Sequence, residues 1–307
     1  MFLRQLHYLV ALAEHQHFAQ AAESCWVSQP SLSVALQQME RELGITIIRR
    51  ERRFQGFTPE GERVLDWARK TLSSLDGLKQ EAALARAVAG GNLVIGTVPS
   101  AMHAVSTLIK EYRRVIPRLN LKVFSLSTRD ILNRLKNQDL HLGIAYSGVS
   151  TGAGEIYESL SLYAERFVLL SNSEVAPPAG DAFHWEDVGE LPLCLFNHEM
   201  QNRRVIEEAF RKAGVTPQVI IETNALSVLY EMVSSGQAYS IAPISAIPDY
   251  LIANGIIAHP IESPPLPEMS LLRLRKDNQP ALLDSVWGMT KQFDLQSKID
   301  QSIYRTG

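Results

Sequence analysis

The sequence predicts an α/β multidomain protein: an N-terminal winged helix-turn-helix, one long linker helix, and a larger region in which strands alternate with helices. Three observations carry this expectation. Residues Ser28 to Gly44 read as a short helix with local start and stop signals and a Gln/Ser outer face. Residues 58–89 keep apolar positions at alternating spacings of four and three. From Asn92 onward, short runs rich in Val, Ile and Leu alternate with amphipathic stretches, the pattern of a parallel α/β sheet. A length of 307 residues suggests about two or three domains.

The first helix is expected over residues 3–15, where Leu3, Leu6, Leu9, Val10, Leu12 and Ala13 recur at helical spacing. A second runs from Phe18 to Cys25, its Ala19, Ala21 and Ala22 small enough for close packing, and Trp26-Val27 makes the turn into the third. In that third helix Ser28 caps free N–H groups, Pro30 suits the first turn and Gly44 suits a left-handed end. Leu32, Leu36, Met39 and Leu43 form one stripe; Gln29, Ser33 and Gln37 form another. Solvated faces more often carry Lys and Glu, whereas Gln and Ser pair with base edges in a major groove.

Residues 45–48 then read as a strand, Arg49, Arg50, Glu51, Arg52 and Arg53 as a basic turn, and Phe54 to Phe57 as the returning strand of a wing. Four Arg in five positions suit phosphate or a minor groove. Thr58-Pro59-Glu60-Gly61-Glu62 opens the long helix with a cap, a first-turn Pro and early acids. Its expected coiled-coil seam is Val64, Ala68, Thr71, Leu75, Leu78, Ala82, Ala85 and Ala89, and Gly90-Gly91 ends it as a hinge.

In the α/β region strands are expected at 93–98, 121–124, 142–146, 166–170, 193–196, 218–221, 239–242 and 269–274. Helices are expected near 100–115, 130–136, 201–213, 225–235 and 281–293. The last strand and helix should return to the first set, and residues 298–307 look like a frayed polar tail.

Phe18-Ala19-Gln20-Ala21-Ala22, Ser28-Gln29-Pro30-Ser31-Leu32-Ser33, Glu40-Arg41-Glu42-Leu43-Gly44, Ile47-Ile48-Arg49-Arg50 and Phe57-Thr58-Pro59-Glu60-Gly61 stand in an order and spacing that resembles the LysR-type transcriptional regulators, and the likeness spans nearly the whole chain. The resemblance implies a winged helix-turn-helix over 1–58, a linker and dimerisation helix over 59–89, and an effector domain of two Rossmann-like lobes similar to periplasmic binding proteins. Lobe I would comprise 92–163 with 267–296, lobe II 164–266, and 297–307 a C-terminal tail. It also implies a homo-oligomer, a dimer or dimer of dimers, on an interrupted palindrome of double-stranded DNA, with RNA polymerase as a further partner. Cys25 stands where the family has a larger aliphatic residue, and Val34 and Ala35 where polar or basic side chains are frequent. Base reading at Val34 and Ala35 is then apolar, as with a thymine methyl, and hydrogen bonding falls mainly to Gln29, Ser31 and Ser33.

The expected DNA contacts are Ser28, Gln29, Pro30, Ser31, Ser33, Val34, Gln37, Arg49, Arg50, Arg52 and Arg53. Ligands of parallel α/β domains bind at the carboxyl ends of strands, beside helix N-termini. Strand ends here supply Ser100, Ala101, Met102, Ser127, Thr128 and Tyr146, and in the second set Phe196, Asn197, His198, Gln201, Thr223 and Pro243. Ser100 and Thr128 also match family positions that line the effector cleft. Two hydroxyl-bearing helix N-termini favour a small polar or anionic effector.

The net charge of −3 does not advertise nucleic-acid binding, but a basic module on a larger acidic one gives the same total. The N-terminus lacks a signal-peptide pattern and no apolar run is long enough for a bilayer, so a cytoplasmic protein without a membrane partner is expected. Cys25 and Cys194 are read as two buried thiols of a reducing compartment. His198-Glu199 lacks further ligands at metal spacing, and no phosphate loop, nucleophile elbow or acid/base pair appears, so no metal, cofactor or catalytic residue is expected. The expected function is a sequence-specific transcriptional regulator controlled by a small effector. The competing reading is a solute-binding protein or other small-metabolite-binding module without a DNA role, opposed by the missing secretion-signal pattern and the basic wing.

Overall fold

A computed structural model describes residues 3–50, 54–85, 90–147, 156–175, 183–198, 200–261, 268–276 and 279–303. The chain divides into two units, the first built on residues 1–88 and the second on most of the rest.

In the first unit, α1 (Leu3–His15), α2 (Phe18–Ser24) and α3 (Gln29–Leu43) precede a hairpin of β1 (Ile48–Arg50) and β2 (Phe54–Phe57), and α4 (Pro59–Ala85) follows. Leu6, Leu9 and Leu12 of α1 meet Leu32, Leu36 and Met39 of α3, with Ala21 and Ala22 of α2 and Leu65 and Ala68 of α4 closing one apolar core. Leu43, expected in that stripe, is exposed at the last turn. Buried Gln5 donates from Nε2 to the Ala35 carbonyl at 3.0 Å, fixing α3 against α1.

The wing's first strand begins later than the sequence suggests, at Ile48. The cause is Glu40: its Oε1 accepts the Ile47 and Ile48 amides at 2.9 and 3.0 Å, so these N–H groups serve α3 and not a partner strand. Thr58 then caps α4 with its Oγ1 on the Gly61 amide at 2.9 Å. Gly61 is obligatory in this packing, because a Cβ there would stand 2.1 Å from the Ile47 carbonyl oxygen.

Of the expected seam positions on α4, Ala68 is buried, Val64 and Leu75 are half-buried, and Thr71 and Leu78 are exposed. Ala68 faces its own domain, while Trp67 and Leu78 are 68% and 66% exposed, with exposed Thr71 and Ser74 between them. Positions 67, 71, 74 and 78 therefore form the outward stripe, at spacings of four, three and four. Ala82 and Ala85 fall where side chains are not described, and Ala89 lies outside the described residues.

The second unit begins with β3 (Gly90–Thr97), a short 3-10 turn (Pro99–Ala101), α5 (Met102–Val115), β4 (Arg118–Ser125), α6 (Thr128–Lys136), β5 (Leu142–Tyr146) and β6 (Tyr157–Ala164). The chain then crosses to β7 (Phe167–Asn172), α7 (Trp185–Gly189), β8 (Leu193–Phe196), α8 (Gln201–Ala213), β9 (Val219–Thr223), α9 (Leu226–Ser234), β10 (Ser240–Pro243), a second 3-10 turn (Ile244–Ala246), α10 (Asp249–Ala253) and β11 (Ile256–Pro260). It returns as β12 (Glu268–Leu274), α11 (Ala281–Gln292) and α12 (Leu295–Ile303).

Two lobes result. One holds a five-stranded sheet in the order β4-β3-β5-β12-β6. The other holds β10-β7-β11, joined to the β8-β9 pair by a parallel bridge between Leu193 and Tyr239. The sheets are mixed where a parallel one was expected: β12 runs antiparallel to β5 and β6, and β7 antiparallel to β10 and β11. A strand that re-enters a sheet from the other lobe can arrive in either direction, and apolar periodicity carries no direction.

The expected tail is also different. Residues 295–303 form α12, with Leu295 and Ile299 buried. Gln296 Oε1 accepts the Ala164 amide at 2.8 Å and Asp300 pairs with Arg166, so this helix braces the crossing between lobes.

Candidate nucleic-acid interface and effector cavity

The outward face of α3 is built by its ends. Ser28 Oγ accepts the Ser31 amide at 3.3 Å, and Gly44 closes the helix at φ 68° with its N–H on the Glu40 carbonyl. Between these limits Ser28, Gln29, Pro30, Ser31, Val34 and Gln37 are exposed and Ser33 is half-buried. Val34 is 57% exposed, an apolar residue held in solvent at the middle of a polar face. Arg49 is exposed on β1, and Arg50 occupies the same strand. Arg52 and Arg53 lie outside the described residues. Sequence reasoning overlooked Trp26, which is 95% exposed at φ 57° in the turn leading to α3.

In the second unit a cavity of about 540 Å³ opens between the lobes. Of the expected effector contacts it brings together Ser100, Ser127, Thr128, Tyr146 and Gln201. Ala101, Phe196 and Pro243 are not among its lining; all three are buried in strand and helix packing. Met102 and Asn197 also lie off its walls, and Thr223 Oγ1 instead caps the Ala225 amide at 3.1 Å. His198 is drawn away by two carboxylates, Nδ1 to Glu207 at 2.6 Å and Nε2 to Glu222 at 3.3 Å. Buried Arg203 joins the same two acids, and its Nη1 donates to the Phe196 carbonyl at 2.7 Å. Among the described residues no group of three or more His, Cys, Asp and Glu is placed to hold a metal; Glu199 is outside them.

The cavity wall also includes residues that strand-end reasoning did not reach: Arg129 and Asp130 on α6, and Asn202 and Arg204 on α8. They sit in the first turns of helices, one to three residues past the positions the strand ends marked. Two features suit this wall to an acceptor-rich ligand. Thr128 Oγ1 and Asn202 Nδ2 are shielded from solvent and have no partner among the described residues, and Asn202 is only 3% exposed. Both stand at helix N-termini, where first-turn N–H groups lack intrahelical acceptors. Among the described lining residues, two Arg stand against one Asp, a net positive charge.

A helix-turn-helix with a polar reading face, on the same chain as a two-lobed domain with a donor-rich cavity, defines a ligand-controlled DNA-binding regulator. Residues 3–62 match the model of bacterial regulatory helix-turn-helix proteins of the lysR family, and residues 86–293 match the LysR substrate-binding domain. The chain belongs to the LysR family and is a DNA-binding transcriptional regulator with an effector-binding domain. It is 29% identical over 272 residues to the DNA-binding transcriptional dual regulator OxyR of Escherichia coli K12, covering 86% of each chain. It is likewise 29% identical over 266 residues to a hydrogen peroxide-inducible genes activator of Dickeya chrysanthemi, again covering 86% of each. A full-length OxyR variant from Pseudomonas aeruginosa shares the fold with a TM-score of 0.72 and 25% identity, covering 95% of this chain and 98% of that one. No helix among the described residues is long and apolar enough to cross a membrane.

Proposed function

We propose that the protein is a cytoplasmic, non-enzymatic homo-oligomeric regulator whose effector is a small polar or anionic metabolite held in the interlobe cavity. Residues 1–58 would read DNA, residues 59–89 pair the copies, and the lobes of 92–163 with 267–296 and of 164–266 bind the effector. The observation that carries the ligand class is the pair of partnerless buried groups, Thr128 Oγ1 and Asn202 Nδ2, beside a net-positive lining. A buried polar group without a partner costs about 1–3 kcal/mol, and a bound acceptor removes that cost. Thermal-shift screening against small carboxylates and inorganic anions tests the class; stabilisation only by apolar or cationic compounds would sink it. Thr128→Val should raise the ligand-free melting temperature by about 2–4 °C while weakening the response to any stabilising anion. A variant that melts lower and responds fully would place the hydroxyl outside the site.

A peroxide-sensing reading follows from the names of the relatives, and the cysteines oppose it. A sensing thiol needs an accessible thiolate and a resolving partner. Cys194 is fully buried in β8 and burial raises its pKa; Cys25 packs against the helix-turn-helix core. The Cys25→Ser, Cys194→Ala double variant should keep wild-type DNA affinity in gel shifts. Hydrogen peroxide at levels that spare methionine should leave the wild-type shift unchanged. A peroxide-dependent shift abolished by either substitution would restore thiol sensing.

A further inference from the structure

A buried acid, Glu165, stands outside the cavity lining. Glu165 is 1% exposed and occupies the crossing from β6 of one lobe to β7 of the other. Its Oε2 lies 2.6 Å from Ser245 Oγ and its Oε1 3.4 Å from the Ser245 amide, in the 3-10 turn that follows β10. Ser245 Oγ is also 3.5 Å from the carbonyl of Ser100, across the lobe boundary. Ser100 in turn shares a hydrogen bond with the Tyr146 hydroxyl at 3.4 Å, and both residues wall the cavity.

One hydroxyl carries one hydrogen. If Glu165 is ionised it accepts only, Ser245 Oγ must donate to it, and the Ser100 carbonyl loses that donor. If Glu165 keeps a proton, the carboxyl O–H donates to Ser245 Oγ, which is then free to donate to the Ser100 carbonyl, while the Ser245 amide still donates to Oε1. We propose that Glu165 and Ser245 form a proton-dependent joint between the lobes, bonded across the boundary to Ser100 only while Glu165 is protonated. The joint sets how firmly the floor of the cavity is held.

The surroundings favour the neutral carboxyl at the ordinary end of the range and let it go near neutrality. Burial raises its pKa to about 7, against the donors of Ser245 and Arg166. The other titratable groups facing it are the hydroxyls of Tyr146 on β5 and Tyr163 on β6, both kept neutral by burial. Arg166, the nearby cation, is engaged by Asp300 of α12. The turn of residues 244–246 offers only the Ser245 hydroxyl and amide to the carboxyl.

Hydrogen–deuterium exchange on the full-length protein at pH 6 and pH 8, corrected for intrinsic rates, tests the joint. Wild type should lose about tenfold or more protection at pH 8 in peptides spanning 98–102, 163–168 and 243–248, and Glu165→Gln should show no such change. Ser245→Ala removes the hydroxyl that bridges Glu165 to the Ser100 carbonyl, so protection in these peptides should be low at both pH values. Equal wild-type protection at both pH values, or a wild-type-like pH response retained in either Glu165→Gln or Ser245→Ala, would each overturn the proposal.

Discussion

Replacing Trp67 and Leu78 together by Asp is expected to turn the protein into a monomer and to weaken binding to a two-half-site DNA by about 100-fold or more. The two residues stand eleven positions apart, close to three helical turns, and so share one face of α4. Both are large, apolar and mostly exposed, and Thr71 and Ser74 continue the stripe without obstructing it. A single chain leaves this face in water, and a second copy of α4 packed on it would bury both. Because both side chains are already exposed, charge at these positions should change monomer stability by no more than about 0.5 kcal/mol. The DNA effect comes from lost linkage: two reading heads on one body gain roughly 10²–10⁴ in avidity over one. Light scattering behind size exclusion and fluorescence anisotropy with whole and half sites check both parts. A double variant that stays dimeric would put the interface elsewhere.

Glu165→Gln should change the pH dependence of unfolding by roughly 3 kcal/mol. Burial raises the carboxyl from its ordinary 4.5 to about 7 in the folded protein. The folded chain therefore holds this proton more tightly than the unfolded chain. Its stabilising contribution is complete below about pH 4.5, falls as the pH rises, and is gone above about pH 7. Gln cannot ionise, so the variant should be comparable to wild type at pH 4.5 and gain steadily on it up to pH 7. Urea unfolding at fixed ionic strength across pH 4.5–8 measures the difference between the two chains. A constant difference would mean that the unfolded and folded carboxyls titrate alike and that Glu165 is solvated.

What was legible in the sequence followed from local chemistry. Ser28, Pro30 and Gly44 wrote the limits of α3 because caps, first-turn prolines and left-handed glycines act within a few residues. Heptad-like spacing announced α4 and its exposed Thr71 and Leu78 but not Trp67; Val64 and Ala68 fit a seam as well as they fit a core, and the packing of α1 against α4 places Ala68 in the core. The strand β1 was displaced because a side chain from the preceding helix, Glu40, takes its first amides. The strands β6 and β11 were missed, and β6 shows why: Glu158, Ser159 and Ser161 break any continuous apolar run. The terminal helix α12 was hidden in a polar stretch whose Leu295 and Ile299 acquire a core only after the chain has returned from the second lobe.

At the cavity, topology located the helix ends but not the side chains. Thr128 and Gln201, expected from strand ends, line the cavity. Asn202 and Arg204 follow from the pitch of α8, and His198 is removed by acids 9 and 24 residues further along the chain. Such partners become neighbours only in the fold.

The central claim is that α3, presented twice, reads DNA sequence. In vitro selection from a random duplex library, run with wild type and Gln29→Ala, tests it most directly. Wild type should enrich an interrupted palindrome with half-sites separated by about one helical turn or a multiple of it. Gln29→Ala should lose preference at one position in each half, by roughly 1–3 kcal/mol, while binding the remaining positions as before. Enrichment of no sequence by wild type, or of the same sequence with undiminished preference by Gln29→Ala, would contradict it.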